Sequence, residues 1–285
     1  MRRVWVLNLE SDLELAGESV DPLAVVRDRP ALAAPLLGTL VPRGDLVLDG
    51  SGVRADDLPG RAFSPTPRAL ERLRSAGARP PSAPPLEVLQ RVASRAFSAE
   101  LGLGLPGARL AKSLAEVADV VRQAPRSGSW LLRRVYGFAG KGRLLVRAGE
   151  LTPGGARFVS RALELGAVLV EPWVEIELDA SMHGFLAPEV TLGVPTIAEV
   201  GAGGVWRASR VETGELSGEE VSALEVEARR VADALRRAGY SGPFGIDGFR
   251  HREGEARRFV ARCDLNPRYT MGWAVGMGDR RPDLD

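Results

Sequence analysis

The segment Gly239–Gly272 reads GYSGPFGIDGFRHREGEARRFVARCDLNPRYTMG and contains two strand-like runs that end in oxygen-bearing side chains. The first run ends at Asp247. The second alternates in polarity and delivers Asp264 and Asn266 to one face, because side chains two residues apart in a strand point the same way. Two carboxylates and an amide oxygen are hard ligands of the kind that Mg²⁺ accepts beside water and phosphate. The pattern therefore predicts a metal site made of these three residues.

Ordinary turn chemistry is the alternative explanation of residues 264–268, DLNPR, since Asp and Asn before a proline are common in turns. Arg268 could place a fixed positive charge beside bound phosphates. The choice between a turn and a site depends on whether the chain supplies the other half of a phosphate-binding site.

A glycine-rich hairpin is the candidate for that other half. The apolar runs 130–135 and 143–146 predict two strands, and the turn between them carries Gly137, Gly140, Lys141 and Gly142. Backbone N–H groups of such a turn can close over phosphates, with the lysine at its tip. No helix follows the glycines, and the spacings of Walker and dinucleotide-binding loops are absent. Most glycine-rich hairpins are simply turns, so this motif alone is weak.

A buried strand with a proline-marked end is predicted at residues 167–174, AVLVEPWV. Three acidic residues, Glu175, Glu177 and Asp179, follow it. With the hairpin and the two acidic strands, this segment completes an ordered series of motifs.

In this order the motifs resemble the ATP-grasp superfamily over residues 86–272, about two thirds of the chain. Each motif is loose, but several in the right order are more specific than any one. The matching segments are 89–107 (opening helix and turn), 131–142 (phosphate-binding strand and glycine loop), 168–174 (adenine hinge), and 242–247 and 264–268 (metal-bearing strands).

The resemblance implies an α/β (α+β) fold with three parts. A small N-terminal α/β lobe, residues 1–85, ends in the proline-rich connector 79–85. A two-subdomain ATP-grasp fold follows, with the glycine-rich hairpin in residues 86–172 and the metal site in residues 173–285. Nucleotide is expected between the two β-sheets of these subdomains.

The resemblance also implies a ligase that activates a carboxylate, on a small molecule or a peptide, as an acylphosphate. An amine, less often a thiol, then attacks that intermediate. ATP and Mg²⁺, with Mn²⁺ as an alternative, are the implied cofactors. The implied nucleotide-binding residues are Arg133, Gly137, Gly140, Lys141, Gly142, Glu171, Trp173, Val174, and Asp179 or Glu177 at the ribose hydroxyls.

Arginines are the implied clamp for the substrate carboxylate. Arg268 is the first candidate, and Arg207 and Arg210 follow the glycine pair 203–204. For these last two, solvated charges on an exposed strand face are the explanation that an arginine-rich chain favours.

Two departures from the family pattern leave a second interpretation open. Arg133 stands where the family usually has a lysine, and Asp264 stands where it usually has a glutamate. The chain could therefore be a degenerate ATP-grasp protein that binds nucleotide, or nothing, without catalysis and acts through a partner. A phosphoryl transferase that performs no ligation is a third interpretation.

Composition excludes several other classes. The formal net charge is +1, so no basic footprint predicts nucleic-acid binding. No apolar stretch approaches the length of a membrane span. A single cysteine, Cys263, fits a reducing cytoplasm. The sequence leaves open whether the chain forms a homo-oligomer.

Helix signals predict three further features. Ser217 is expected to cap an amphipathic helix over residues 217–238, and Ser113 is expected to cap a helix that follows it. One long helix is expected to begin at Leu86. The polar tail from Trp273 is expected to fray.

Overall fold

The computed structural model of the chain describes residues 1–137, 142–200 and 206–284, whose strands form three β-sheets. Helices lie between and against these sheets, so the predicted mixed α/β (α+β) fold is confirmed. The strands are β1 (Val4–Val6), β2 (Leu46–Val47), β3 (Gly60–Ala62), β4 (Arg109–Ala111), β5 (Ser129–Arg134), β6 (Arg143–Arg147), β7 (Val168–Pro172), β8 (Glu175–Leu186), β9 (Val190–Leu192), β10 (Thr196–Val200), β11 (Trp206–Val211), β12 (Gly242–Glu253) and β13 (Ala256–Asn266). The helices are α1 (Ser11–Leu15), α2 (Ala24–Asp28), α3 (Pro30–Thr39), α4 (Pro67–Ser75), α5 (Leu86–Ala93), α6 (Arg95–Glu100), α7 (Leu114–Arg122), α8 (Pro153–Leu163), α9 (Gly218–Arg237) and α10 (Trp273–Met277), followed by a 3-10 turn at Pro282–Leu284.

The first sheet is parallel, in the order β2-β1-β3, and all three residues of β1 are buried. Helix α4 begins with Pro67 at its first position, where the missing N–H of proline costs nothing. Thr66 lies at the N-cap position but makes no capping bond. Its hydroxyl instead donates to Glu14 at 2.7 Å and accepts from Asn8 at 3.1 Å.

The second sheet is antiparallel, in the order β4-β7-β5-β6, and contains the predicted hairpin strands. Arg133 on β5 pairs with Arg143 on β6 at the end nearest the glycine-rich turn. Helices α7 and α8 cover one face, with Val117 and Val159 fully buried. The hydroxyl of Ser113 caps α7 as predicted.

The third sheet runs β11-β10-β8-β12-β13, with β9 also paired to β8. Helix α9 covers one face and buries its apolar stripe, of which Leu224 and Val231 are fully buried. Its start is the predicted cap: Ser217 and Glu220 form a reciprocal capping box. The opposite face of the sheet carries the polar residues described below.

The predicted long helix from Leu86 is wrong, because the chain breaks at Ser94 between α5 and α6. Ser94 is extended, and its hydroxyl accepts a hydrogen bond from the N–H of Ala96 at 3.1 Å. A serine side chain competes in this way with helical backbone bonds. The break makes Arg95 the first residue of a new helix.

The expectation that the tail frays is also wrong. Trp273 opens α10, is fully buried, and donates from its indole N–H to the carbonyl of Gly184 at 2.9 Å. Arg61 donates to the carbonyl of Asp283, which fixes the tail on the first sheet. Burial of one large aromatic side chain offsets the polar character of the segment.

Among the helices of the described residues, none has the length and apolar character that crossing a membrane requires.

Candidate functional site

Three neighbouring strands bring the predicted metal ligands together. Asp247 on β12 lies opposite Asp264 on β13, and Ser181 on β8 lies opposite Asp247 on its other side. The pairing of β12 with β13 is irregular just after Asp247, and Gly248 sits there. A Cβ at Gly248 would lie 2.6 Å from the carbonyl oxygen of Val260, so only glycine fits.

Asp247 is surrounded by neutral donors. The hydroxyl of Ser181 donates to its Oδ1 at 2.8 Å, and the Nδ2 of Asn266 donates to its Oδ2 at 2.8 Å. Burial and the nearby charge of Asp264 raise the pKa of Asp247 to about 6. Because Asn266 donates through its nitrogen, its amide oxygen remains available to a cation.

Asp264 is surrounded by arginines. Its Oδ2 accepts from Nη2 of Arg133 at 2.7 Å and from Nη2 of Arg95 at 3.0 Å. Burial alone would raise the pKa of Asp264, but Arg95 and Arg133 lower it to about 2. Asp264 is therefore a permanent negative charge at neutral pH.

Arg133 links the second sheet to the third. Its Nη1 donates to Oε2 of Glu171 on β7 at 3.2 Å, while its Nη2 contacts Asp264 on β13. Both Arg133 and Glu171 are largely buried. A guanidinium fork can hold two carboxylates in this way, which an ammonium group holds less well.

Arg95 is a site residue that the sequence prediction missed. Its Nη1 donates to the carbonyl of Arg134 at 2.9 Å, and its Nη2 donates to Asp264. The signal that could have located it is Ser94, a good cap residue inside an otherwise helical pattern.

Arg268 faces the first lobe. Its Nη2 and Nε donate to the two carboxylate oxygens of Asp12 at 2.9 and 3.2 Å, and its guanidinium lies 5.6 Å from the ring centre of Phe63. Asp12 and Arg268 are both mostly buried. Asp12 follows the first strand, where an open α/β sheet places ligands, so the sequence makes it, with Asn8, Glu10 and Ser11, a candidate for contact with substrate.

These groups surround a narrow, open cleft. Its lining combines three carboxylate or amide groups with two arginines and a glycine of the hairpin turn: Asp12, Asp264, Asn266, Arg95, Arg268 and Gly137.

The sequence matches no protein-family model and no curated protein. Solved structures share its fold. The D-alanyl-alanine synthetase A of Vibrio cholerae matches with a TM-score of 0.54 and 13% identity, over 93% of this chain and 89% of that one. The N5-carboxyaminoimidazole synthetase of Staphylococcus aureus, solved with ADP, matches with a TM-score of 0.52 and 10% identity, over 95% of this chain and 72% of that one. The N5-carboxyaminoimidazole ribonucleotide synthetase of Thermus thermophilus matches with a TM-score of 0.52 and 18% identity, over 94% and 71%.

These similar proteins are ATP-grasp enzymes. The chain has the ATP-grasp fold. The resemblance stated from the sequence motifs is thus confirmed at the level of the fold.

In the ATP-grasp fold of this chain, one described glycine of the hairpin turn reaches the cleft. Gly137 lines the cleft. Gly142 has a φ of +77°, which favours glycine, and its carbonyl accepts from the N–H of Arg134 at 2.9 Å. Gly140 and Lys141 lie outside the described residues.

The predicted adenine hinge follows β7. Trp173 is 43% exposed, and Val174 packs against a small apolar cluster that includes Phe249. Of the two candidates for the ribose hydroxyls, Glu177 forms ion pairs with the surface residues Arg252 and Arg257. Asp179 lies further along the same strand, and burial raises its pKa. The structure thus leaves Asp179 as the carboxyl group with fewer competing contacts.

Arg207 and Arg210 lie on β11, at the edge of the third sheet, and the described cleft lining does not include them. Arg207 is exposed. Arg210 forms ion pairs with Glu199 and Glu215. These contacts agree with the alternative of solvated charges on a strand face.

The donor set fits one Mg²⁺ ion. In the part of the chain that the structure describes, no cluster of three or more His, Cys, Asp or Glu side chains is placed to hold a metal ion. A site for Mg²⁺ between phosphates does not need such a cluster, because one or two carboxylates suffice. Asp247 and the free amide oxygen of Asn266 supply oxygen ligands, and Oδ1 of Asp264 has only a 3.3 Å contact with the N–H of Leu265.

Proposed function

We propose that this chain is an ATP- and Mg²⁺-dependent ligase that activates a carboxylate as an acylphosphate and joins it to an amine, or less readily to a thiol. One observation carries the proposal: Asp247, Asp264 and Asn266 lie together on one face of the third sheet, and Arg95 and Arg133 contact Asp264 there. A cation site next to fixed positive charges is what phosphoryl transfer requires.

The phosphate groups would lie between the hairpin and the third sheet. Arg133, Lys141 and Arg95 would contact them, and the glycines of the hairpin would close over them. Asp247, Asp264 and Asn266 would hold Mg²⁺, which neutralises the charge that develops on the transferred phosphoryl group.

The nucleoside would lie along the end of β7 and the segment that follows it. The backbone at Glu171, Trp173 and Val174 would contact the adenine edge, and Asp179 would accept from the ribose hydroxyls. The ion pairs of Glu177 with two surface arginines favour Asp179 for this role.

Arg268 would hold the substrate carboxylate for attack on the γ-phosphorus of ATP, with ADP as the leaving group. The amine would then displace phosphate from the acylphosphate. Positioning and fixed charge supply most of the rate in such a mechanism, so no protein nucleophile is needed. Arg207 and Arg210 stay secondary candidates for this clamp.

Calorimetric titration with ATP, with and without Mg²⁺, tests the proposal on the wild type and on Asp264→Asn. We expect Mg²⁺-dependent binding that the substitution weakens at least tenfold, since it removes a negative charge that two arginines contact and that would hold the cation. Asp233→Asn, on the exposed face of α9, is the matched control. Wild-type protein that binds no ATP with Mg²⁺ would contradict the proposal. Binding justifies a screen of acids and amines for ADP release.

A degenerate ATP-grasp protein is the second candidate, and one contact favours it. Oδ2 of Asp264 is already shared by two guanidinium groups, and the side chain is one methylene shorter than the usual glutamate. Such a protein would bind nucleotide but release no ADP with any acid, and its activity would depend on a partner.

The remaining features of the proposal concern organisation and setting. The division into 1–85, 86–172 and 173–285 is supported by the sheets, since each range holds the strands of one of them. We also propose a cytoplasmic setting without nucleic-acid or membrane partners, which the single cysteine and the net charge of +1 support.

A further inference from the structure

Asp12 fills the carboxylate-binding edge of Arg268. The two side chains form a forked pair, with Nη2 to Oδ2 at 2.9 Å and Nε to Oδ1 at 3.2 Å. The remaining nitrogen, Nη1, donates to the carbonyl of Tyr269 at 3.3 Å. Paired contacts of this kind are how a guanidinium recognises any carboxylate, whether from protein or substrate.

The position of this pair is as informative as its geometry. Asp12 and Arg268 line the same cleft as Asp264 and Asn266. The carboxylate of Asp12 therefore lies next to the proposed phosphate and metal positions. It also comes from a different lobe, 256 residues away in the sequence.

We infer that Asp12 occupies the position on Arg268 at which the carboxylate of the substrate acid binds, here called the seat, and that the acid binds by displacing Asp12. Asp12 is thus an internal stand-in for the substrate carboxylate. The identification of that acid as a substrate rests on the proposed ligase function. Displacement brings two carboxylates close to one guanidinium, so Asp12 keeps the affinity of the seat for external carboxylates low.

A purely structural pair between lobes is the competing explanation, and the two make different predictions for an added carboxylate. If Asp12 only fastens the lobes, its removal lowers stability and no small anion replaces it. If Asp12 is a stand-in, its removal leaves an empty seat on Arg268 that a small carboxylate fills.

Acetate titration of the wild type, Asp12→Ala and Asp12→Asn tests the inference, with chloride at equal ionic strength as the reference. We expect the two variants to bind acetate about tenfold tighter than the wild type, the scale of one charge-assisted contact. We also expect acetate to restore part of the melting temperature that Asp12→Ala loses. Glu10→Gln is the matched control, because Glu10 lies on the same segment but pairs with Arg29.

A second arginine variant makes the test specific to the seat. In Asp12→Ala/Arg268→Gln the acetate effect should disappear, whereas acetate bound at Arg133 or Arg95 would remain. Equal acetate affinity in the wild type and both Asp12 variants, or an effect that survives in the double variant, would overturn the inference.

If Asp12→Ala does not fold, Asp12→Asn keeps the shape and the test. None of these titrations uses ATP. The calorimetric ATP experiment can therefore fail, and with it the ligase proposal, while the acetate result still decides whether the seat exists.

Discussion

Asp247 and Asp264 lie directly opposite each other on β12 and β13, yet their carboxyl groups have opposite surroundings. Neutral donors contact Asp247, and burial together with the charge of Asp264 raises its pKa to about 6. Two guanidinium groups contact Asp264 and lower its pKa to about 2, against the effect of burial. One carboxylate of the pair is thus charged at any physiological pH, and the other titrates near neutrality.

Replacing Asp247 with Asn should stabilise the protein at neutral pH without divalent cations and weaken Mg²⁺-dependent ATP binding. The pKa of Asp247 is higher in the folded state than in the unfolded state, so its ionisation favours unfolding. A difference of one pKa unit between the two states corresponds to about 1.4 kcal/mol, so the free energy of unfolding at about pH 7.5 should rise by on the order of 1–3 kcal/mol. Urea unfolding measures it, with Asp233→Asn as the control.

The pH dependence gives the sign of this effect independently. As the pH rises from the pKa that Asp247 has in the unfolded state to about 6, its pKa in the folded state, ionisation of Asp247 lowers the stability of the wild type. Asp247→Asn should lack this loss. If Asp247→Asn is less stable than the wild type at neutral pH, then burial and the charge of Asp264 do not destabilise the ionised form of Asp247.

Arg133→Met should destabilise the fold by about 3–5 kcal/mol, because it leaves Glu171 buried without its partner and leaves Asp264 with Arg95 alone. Arg133→Lys should lie between the wild type and the Met variant, since one ammonium group holds two carboxylates less well. Denaturant unfolding measures both. Arg122→Met is the control, because its exposed pair with Asp119 contributes less than about 1 kcal/mol.

His183 should make the fold sensitive to mild acid. It is buried between the hydroxyls of Thr196 and Thr270, and burial lowers its pKa to about 3. As the pH falls, the unfolded state therefore binds a proton at His183 before the folded state does. The free energy of unfolding decreases once the pH falls below the ordinary pKa of histidine. The loss between about pH 7 and pH 5 should be about 2 kcal/mol.

Asp247 opposes His183 over the same range, so the contribution of His183 is best measured in Asp247→Asn. There the loss of stability in acid should be steeper than in the wild type. Adding His183→Gln should flatten it. An unchanged slope would mean that His183 is protonated in the folded protein.

Gly276→Ala should detach the tail helix α10. An added Cβ would lie 2.5 Å from Cδ2 of the buried His183 and 3.2 Å from the carbonyl oxygen of Val194. Overpacking of this kind costs about 1–3 kcal/mol. Limited trypsin digestion should cut faster after Arg280 in the variant, whereas the bond after Arg281 precedes Pro282 and resists trypsin. Gly218→Ala, in open space at the start of α9, should leave the digestion unchanged.

The elements that sequence reasoning found are those whose signals are local. The alternation of β13 placed Asp264 and Asn266 on one face, and the capping box of Ser217 and Glu220 fixed the start of α9. The hairpin strands were found because two apolar runs flank glycines. A resemblance built from such local motifs was sufficient to predict the fold.

The missed features depend on contacts that are distant in sequence. Arg95 joins the site because Ser94 breaks a pattern that looks like one helix, and its partner Asp264 is 169 residues away. Asp12 meets Arg268 only after the first lobe has folded. Strand β3, Gly60–Ala62, is too short to give a periodic signal and is a strand because it pairs with β1.

The tail fastens the end of the chain to its beginning. Arg3 and Arg61 donate to the carbonyls of Leu284 and Asp283, and the rings of Trp5 and Tyr269 lie 5.6 Å apart. The first and third sheets should therefore move as one body. Nucleotide exchange would then require the four-stranded sheet, which comes from the middle of the chain, to move as a lid relative to the body that the first and third sheets form. Hydrogen exchange that ATP slows in β5 and β6 but not in β1 would reveal it.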